Sequence, residues 1–243
     1  MKRWLCLFVA SIAAGLSPTA RTAGGPDITD TKMLTQPAVS ADHVAFIYAA
    51  DLWVADLDGR NVRRLTADLG RESNPAFSPD GALLAFNRVS STLTMYDQGA
   101  AEVFVVPVNN GQGGKAIRLV ANDPVACTPS PMNASPGVQN TWPKWAPNPA
   151  GPTAGTTVPQ VINGLTYYWI TFSSTRSVTA AGKEQLYVAG ITVDANGTLQ
   201  NYAPIYLWNQ SDEVNNLIPA WGAFSIPPGA TAPPPPPPPN PPK

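Results

Sequence analysis

Short apolar runs separated by turn-forming residues dominate the pattern of hydrophobic positions along this chain. In residues 33–70 these runs fall at 44–48, 51–57 and 62–66, and Asp58-Gly59 stands between the last two. Each run contains β-branched or aromatic residues and ends in turn chemistry, which is typical of β-strands. Residues 33–70 are therefore predicted to form a small antiparallel meander.

The most distinctive stretch begins at Asn74 and reads Asn-Pro-Ala-Phe-Ser-Pro-Asp-Gly, followed by the apolar run 82–86. Asp80-Gly81 is a strong turn signal, because a glycine adopts positive φ without a Cβ clash. Proline cannot donate a ladder hydrogen bond, so Pro75 and Pro79 are predicted to bound the strand rather than lie inside it. This stretch predicts a turn that feeds a strand.

Weaker copies of the same plan recur along the chain. The units are about 33–70, 71–122 and 140–210, and a closing segment at 216–226 opens with Ile-Pro-Ala-Trp at 218–221. Repeats at a spacing of roughly 40 to 70 residues are the signature of a propeller array. The predicted fold class is all-β, a β-propeller-like array of about three to four small antiparallel blades. A β-sandwich with accidental similarity between its hairpins is the alternative.

The two ends of the chain have compositions of their own. Lys2 and Arg3 precede an apolar run at 4–16, so residues 1–23 are predicted to be a secretory signal peptide; an uncleaved membrane anchor is the alternative. Residues 227–243 are rich in proline and are predicted to be a disordered tail, either a spacer or a docking segment for an aromatic groove. The propeller domain is then residues 24–226.

Charge and charged-residue content bear on partners and location. Removing Lys2, Arg3 and Arg21 with the signal leaves 12 basic and 16 acidic residues, a net charge of −4. A nucleic-acid partner is not predicted, because basic residues do not cluster with aromatics. Periplasmic or secreted location is predicted, with no transmembrane span after signal cleavage.

The residues that could carry chemistry are few. His43 is the one histidine, Cys127 is the one thiol outside the signal, and the chain has no Gly-x-Ser-x-Gly elbow. A Ser-His-Asp triad and a zinc site are therefore not predicted. The acidic turns at 56–61 and 194–197 are interpreted as hairpin turns, with calcium binding as the alternative. No catalytic, cofactor or metal residue is predicted.

The tryptophans and arginines of the units are interpreted as structural. Large aromatic residues are needed between neighbouring sheets, so blade packing is favoured over a stacking surface for sugars or peptides. The residues concerned are Trp142, Trp145, Trp169, Trp208 and Trp221. Arg63, Arg64 and Arg71 are interpreted as a solvated strand and turn.

The stretch from Pro75 to Gly81, with Ala85-Phe86 after it, resembles the repeat of TolB-type β-propellers. Asp51-Leu52-Trp53 and Arg64-Leu65-Thr66 fit the other strands of that repeat, and residues 33–86 are similar to the opening blades of the tricorn protease propeller. The resemblance implies a propeller fold, a role in protein–protein contact and, for exported bacterial members, an envelope location.

The predicted function is an exported, non-enzymatic β-propeller module that mediates protein–protein interaction in the cell envelope. The alternatives are a propeller hydrolase or lactonase using channel carboxylates and a metal, and a truncated accessory propeller of a peptidase. The protein partner is unidentified. Because propellers need at least four blades, a homodimer of three plus three blades is one way to complete the ring.

Overall fold

Every apolar run predicted as a strand lies in one of three antiparallel sheets of the computed structural model. The structure describes residues 34–89, 101–123, 138–147, 159–176, 183–211 and 213–221. The predicted signal peptide at 1–23, Cys127 and the tail at 227–243 lie outside the described residues. These sheets confirm the predicted all-β, propeller-like fold class.

Sheets 1 and 2 are four-stranded meanders with strands in sequence order. Sheet 1 contains β1 (Thr35–Val39), β2 (His43–Tyr48), β3 (Asp51–Asp56) and β4 (Arg63–Arg64). Sheet 2 contains β5 (Arg71–Phe77), β6 (Leu83–Val89), β7 (Ala101–Pro107) and β8 (Ile117–Arg118). Short 3-10 helices follow β7 at Asn109–Gly111 and β8 at Val120–Asn122.

Sheet 3 repeats this plan around two longer central strands. Its strands are β9 (Asn140–Trp145), β10 (Gln160–Ile162), β11 (Leu165–Ser174), β12 (Gln185–Val193), β13 (Leu199–Asn201) and β14 (Ile205–Tyr206). The first two pair with different parts of β11, and the last two pair with different parts of β12. Sheet 3 is therefore a four-stranded unit whose central strands are lengthened at one end, where β10 and β13 pair with them on either side.

The sheets pack face to face, each on the next. One aromatic cross-strand pair is equivalent in the three sheets: Phe46–Trp53 in sheet 1, Phe86–Phe104 in sheet 2 and Phe172–Tyr187 in sheet 3. We call the face of a sheet that contacts the preceding sheet its leading face, and the opposite face its trailing face. The trailing face of sheet 1 and the leading face of sheet 2 share one core cluster, and sheets 2 and 3 share the other.

The prediction that Pro75 bounds a strand is wrong, because Pro75 lies inside β5. The pairing of β5 with β6 shifts register between Ser73 and Ala76, and Asn74 has φ of 52°. An irregular position of this kind leaves an N–H unpaired, so a proline fits there without costing a ladder hydrogen bond. Pro37 in β1 and Pro143 in β9 occupy the same place in their strands.

This left-handed residue before proline occurs four times in the described residues. Gln36, Asn74, Trp142 and Ile218 have φ between 52° and 56°, and each directly precedes a proline. The first three lie in β1, β5 and β9, the strand that begins each sheet, which we call its inner strand. The fourth lies after sheet 3, so residues 218–221 repeat the inner-strand geometry that begins each sheet.

In each sheet, a polar side chain from the segment after the fourth strand accepts a hydrogen bond from a backbone N–H of the third strand. The equivalent backbone N–H groups belong to Leu52, Val103 and Leu186. Their acceptors are Thr66 Oγ1 at 3.0 Å, Asn122 Oδ1 at 2.7 Å and Gln210 Oε1 at 2.8 Å, respectively. Burying a backbone N–H requires an acceptor, and three different side chains supply it at one repeated position.

Candidate interaction surfaces

His43, the one residue on which a triad could be built, is the first residue of β2 and lies at the joint between sheets 1 and 2. Its Nε2 is 3.8 Å from Asp56 Oδ1, and a Cβ at Gly111 of the next sheet would lie 3.0 Å from the same nitrogen. Arg63 Nε donates to the Gly111 carbonyl at 2.6 Å, so the interpretation of Arg63 as solvated is wrong. This histidine occupies a packed structural joint.

The acidic turn at 56–61 has the internal hydrogen bonds of a hairpin turn. Asp58 Oδ1 accepts from the Arg60 N–H at 2.9 Å, and Asn61 Nδ2 donates to Asp56 Oδ2 at 2.6 Å. In the second acidic turn, N–H groups of Thr198 and Asn196 bond to Asp194 and hold its pKa below the ordinary value. Within the described ranges, no group of three or more acidic, His or Cys side chains could hold a metal.

The Ser-Pro-Asp-Gly turn joins sheet 2 to sheet 3. Asp80 Oδ1 accepts from Ser78 Oγ at 2.6 Å and from the Ala82 N–H at 3.1 Å. Asp80 Oδ2 accepts from the Tyr168 hydroxyl of β11 at 2.7 Å. Burial, and then the hydrogen bond to Asp80, raise the pKa of Tyr168. One carboxylate therefore orders its own turn and binds the next sheet.

Removing the Tyr168 hydroxyl should weaken this joint. We expect Tyr168→Phe to lower the free energy of unfolding by about 1 kcal/mol, because Asp80 loses a charge-assisted hydrogen bond in a partly buried site. Urea unfolding measures the change, and a double-mutant cycle with Asp80→Asn isolates the pair. Tyr202→Phe, on an exposed tyrosine, is the matched control. Equal effects of the two Tyr→Phe changes would contradict this role.

The leading face of sheet 1 carries an apolar cavity of about 330 Å³. It is lined by Leu34, Thr35, Pro37, Val44, Phe46, Ala55, Gly59 and Val62. Val44 and Phe46 are the counterparts of Leu84 and Phe86, which are fully buried between sheets 1 and 2. This face therefore has the residue types of a sheet-to-sheet interface, with Val44 and Phe46 only partly covered.

The trailing face of sheet 3 exposes large apolar side chains. Trp169 is 45% exposed and Ile205 is 58% exposed. Their counterparts in sheet 2 are Leu83, which is buried against sheet 3, and Ile117. Trp169 also flanks Gly190, where an added Cβ would lie 3.4 Å from the indole. Thr171 and Ser173 of this face are buried, so the part of the face that is open to a partner is the apolar part at Trp169 and Ile205.

A groove of about 520 Å³ adjoins that face. It is lined by Phe77, Pro79, Lys144, Trp145, Pro147, Ile218, Pro219, Ala220 and Trp221. Trp145 Nε1 donates to the Ala76 carbonyl at 2.8 Å, and Trp221 Nε1 donates to Thr171 Oγ1 at 3.0 Å. Both indoles are fixed by hydrogen bonds to the sheet beneath, so the groove presents ring faces and proline rings.

The predicted role of the tryptophans holds in part. Trp145 packs between sheets, as expected. Trp169 and Trp208 remain exposed, because the side chains of the last sheet meet no further sheet in the described residues. Sequence reasoning recognised these residues as interface residues and could not tell which interfaces are filled.

Three antiparallel sheets, packed face to face and built on one repeated strand plan, define a β-propeller-type architecture. The family model described as the tricorn protease N-terminal beta propeller domain matches residues 31–121. The likeness to the tricorn propeller that is predicted from residues 33–86 is therefore confirmed, and this part of the chain is similar to the N-terminal propeller of tricorn.

Two curated proteins of Streptomyces coelicolor are similar to the same part of the chain. Tricorn protease homolog 2 is 35% identical over 99 residues, 40% of this chain, and tricorn protease homolog 1 is 38% identical over 95 residues, 35% of this chain. The matched part spans 8% of the length of each. Crystallised TolB from Acinetobacter baumannii is 17% identical, covering 69% of this chain and 31% of that one, with a TM-score of 0.35.

In the part of the chain that the structure describes, no helix is long and apolar enough to cross a membrane.

Proposed function

We propose that this chain is an exported, non-enzymatic β-propeller module that mediates protein–protein contact in the cell envelope. The observation that carries the proposal is the open trailing face of sheet 3, where Trp169 and Ile205 are exposed at positions built for sheet packing. Exposed, contiguous apolar surface on a soluble domain marks an interaction site. Aromatic residues at such a site are the usual anchors of binding energy.

The chemistry of the described residues supports a binding role over an enzymatic one. His43 has a carboxylate at 3.8 Å and lies at a packed joint, and the acidic turns use their oxygens within the turn. The peptidase name of the curated relatives belongs to whole proteins of which this chain matches a small part. For this chain we propose contact with a protein, without a catalytic step of its own.

Periplasmic or secreted location is part of the proposal. Its support is the basic start at Lys2 and Arg3 with the apolar run at 4–16. Expression of the full chain in a bacterial host, followed by fractionation and intact-mass measurement, tests it. Recovery outside the cytoplasm with loss of about 23 residues is the expected result. A full-length cytoplasmic product would contradict it.

The binding role is tested with three full-chain baits in an envelope extract. Wild type is compared with the double variant Trp169→Ser, Ile205→Ser and with Leu69→Ser, a control at a 96% exposed position in the loop between sheets 1 and 2. We expect cross-linking mass spectrometry to identify a protein bound by wild type and by the control, with loss in the double variant. Equal capture by all three baits would place binding elsewhere and contradict the proposal.

A further inference from the structure

The two open faces at the ends of the three-sheet array are complementary to each other. The leading face of sheet 1 offers Val44 and Phe46 at the positions where sheet 2 uses Leu84 and Phe86. Inside the chain, those residues of sheet 2 pack on the trailing face of sheet 1. A leading face therefore fits a trailing face, and the trailing face left open is that of sheet 3.

The three sheets of the described residues leave one open face at each end of the array. A propeller closes with four to eight blades, and the described residues provide three. Two copies arranged head to tail provide six sheets, a number within that range, and a twofold axis closes the ring through two identical interfaces.

The segment after sheet 3 identifies how such a ring would be joined. Residues 218–221 repeat the inner-strand geometry of Gln36-Pro37 in β1, with φ of 52° at both Gln36 and Ile218. This segment already lies over the trailing face of sheet 3. Trp221 donates to Thr171, and Ser173 Oγ donates to the Asn216 carbonyl at 3.3 Å. It occupies the place that the inner strand of the next sheet takes.

In a two-copy ring the next sheet is sheet 1 of the second copy, whose inner strand is β1. Two strands then compete for one place. β1 is the weaker occupant, since four of its five residues are exposed and it pairs with β2 at Thr35, Ala38 and Val39 with a register shift between them. The segment at 216–221 is held by side-chain bonds and by the Asn216 N–H, which donates to the Glu184 carbonyl at 2.8 Å.

We propose that two copies of this chain form a closed six-sheet ring by strand exchange, in which residues 218–221 of each copy replace β1 on β2 of the other. The trailing face of sheet 3 then packs on the leading face of the partner's sheet 1. This inference rests on the proposed function, because it makes a second copy the protein that the open face binds.

Light scattering on the protein recovered from full-chain expression gives the first test. We expect twice the single-chain mass, and about half of that for the variant Trp169→Asp, Ile205→Asp. Leu69→Asp is the control and should keep the doubled mass. Circular dichroism and heat unfolding establish that the variants fold. Single-chain mass for wild type at all concentrations would overturn the proposal.

Disulfides test the exchange itself in a Cys127→Ser background. Ala38 pairs directly with Ala45, and Ala220 is the counterpart of Ala38 in the segment at 218–221. Directly paired residues of antiparallel strands are close enough for a disulfide. We expect Ala220→Cys with Ala45→Cys to give a covalent dimer on a non-reducing gel. We expect oxidised Ala38→Cys with Ala45→Cys to lock β1 and yield a single-chain mass that doubles on reduction.

The outcomes separate this inference from the proposed function. A doubled mass that survives oxidation of the Ala38→Cys, Ala45→Cys variant would overturn strand exchange. Failure of the Ala220→Cys, Ala45→Cys variant to cross-link would overturn it as well. A single-chain wild type that still captures a different protein through Trp169 and Ile205 would refute the ring and leave the interaction role standing.

Discussion

Replacing Arg176 with alanine is expected to lower the free energy of unfolding by about 3 kcal/mol, because a buried guanidinium satisfies four acceptors at once. The residue is 2% exposed. It donates to the carbonyls of Ala121 at 2.6 Å and Asp123 at 2.8 Å, to Asn140 Oδ1 at 2.8 Å and to Ser174 Oγ at 3.0 Å. The two carbonyls follow sheet 2 and the two side chains belong to sheet 3, so one arginine fastens the two sheets together.

The guanidinium also lies over aromatic rings of sheet 3. Its Cζ is 5.0 Å from the centre of the Tyr187 ring and 5.6 Å from that of Phe172. Burial lowers the pKa of Arg176 to about 10, and the side chain therefore stays charged at neutral pH. Alanine would remove the ring contacts and leave buried carbonyls without a donor.

Urea unfolding of Arg176→Ala beside wild type measures this loss. Arg60→Ala is the control: the Arg60 side chain is 82% exposed and pairs with Asp58 in an exposed turn, so a change within about 0.5 kcal/mol is expected. A similarly small change for Arg176→Ala would show that other contacts hold sheets 2 and 3 together.

Arg176→Lys separates charge from geometry. The ordinary pKa of lysine is about 10.4, well below that of arginine, and the same burial would depress it further. A base with a depressed folded-state pKa binds fewer protons when folded, so stability is lost as pH falls through that pKa. We expect the lysine variant to gain stability relative to wild type between about pH 7 and pH 9.5. A constant difference across that range would contradict the buried position of the charge.

The central strands of each sheet could be predicted from the sequence, because their signal is local. Residues 44–48 and 51–56 alternate between two faces and end in turns, and the pattern requires no knowledge of distant residues. The inner strands were missed for a local reason too. Pro75 is predicted as a boundary, because a proline at an irregular strand position looks the same in sequence as one in a turn.

The side chains that accept from the third strand of each sheet could not be predicted, because they are of unlike type and lie 14 to 24 residues along the chain from their donors. Thr66, Asn122 and Gln210 accept the same kind of hydrogen bond at one repeated position, and they share no sequence motif. The open face of sheet 3 could not be predicted from the sequence either. An apolar face packed on a neighbour and an apolar face left open have the same periodicity, so Trp145 and Trp169 were given one interpretation.

Arg88 is the second arginine at a contact between sheets, and its partner Glu72 joins sheet 2 to sheet 1. Loss of Glu72 has the other large expected effect on stability. Glu72 in β5 is buried, and its Oε2 accepts from the Leu52 N–H at 2.8 Å and from the Thr66 hydroxyl. Its Oε1 accepts from Arg88 Nη2 at 2.6 Å and from Nε at 3.1 Å. The Cζ of Arg88 lies 4.5 Å from the centre of the Phe104 ring, in the same arrangement as Arg176 over the Tyr187 ring.

Replacing Glu72 with alanine is expected to lower the free energy of unfolding by about 2 to 3 kcal/mol, because a buried cation and a buried hydroxyl lose their acceptor. Asp68 also contacts Arg88 Nη2 at 2.8 Å and keeps part of the charge pairing, which holds the loss below that of a fully broken buried pair. Urea unfolding measures the change. Asp58→Ala, in an exposed pair, is the matched acidic control.

The pH dependence of Glu72→Gln tests the burial of the carboxyl directly. Burial raises the pKa of Glu72 above its ordinary value of 4.5, against hydrogen bonds from Thr66 and Arg88 that lower it. An acid with a raised folded-state pKa contributes stability that is complete below its unfolded pKa and declines as pH rises through the folded one. The stability advantage of wild type over Glu72→Gln should therefore be complete below pH 4.5 and shrink as the pH rises toward neutral. An advantage that grows with pH would mean that pairing with Arg88 outweighs burial at this joint.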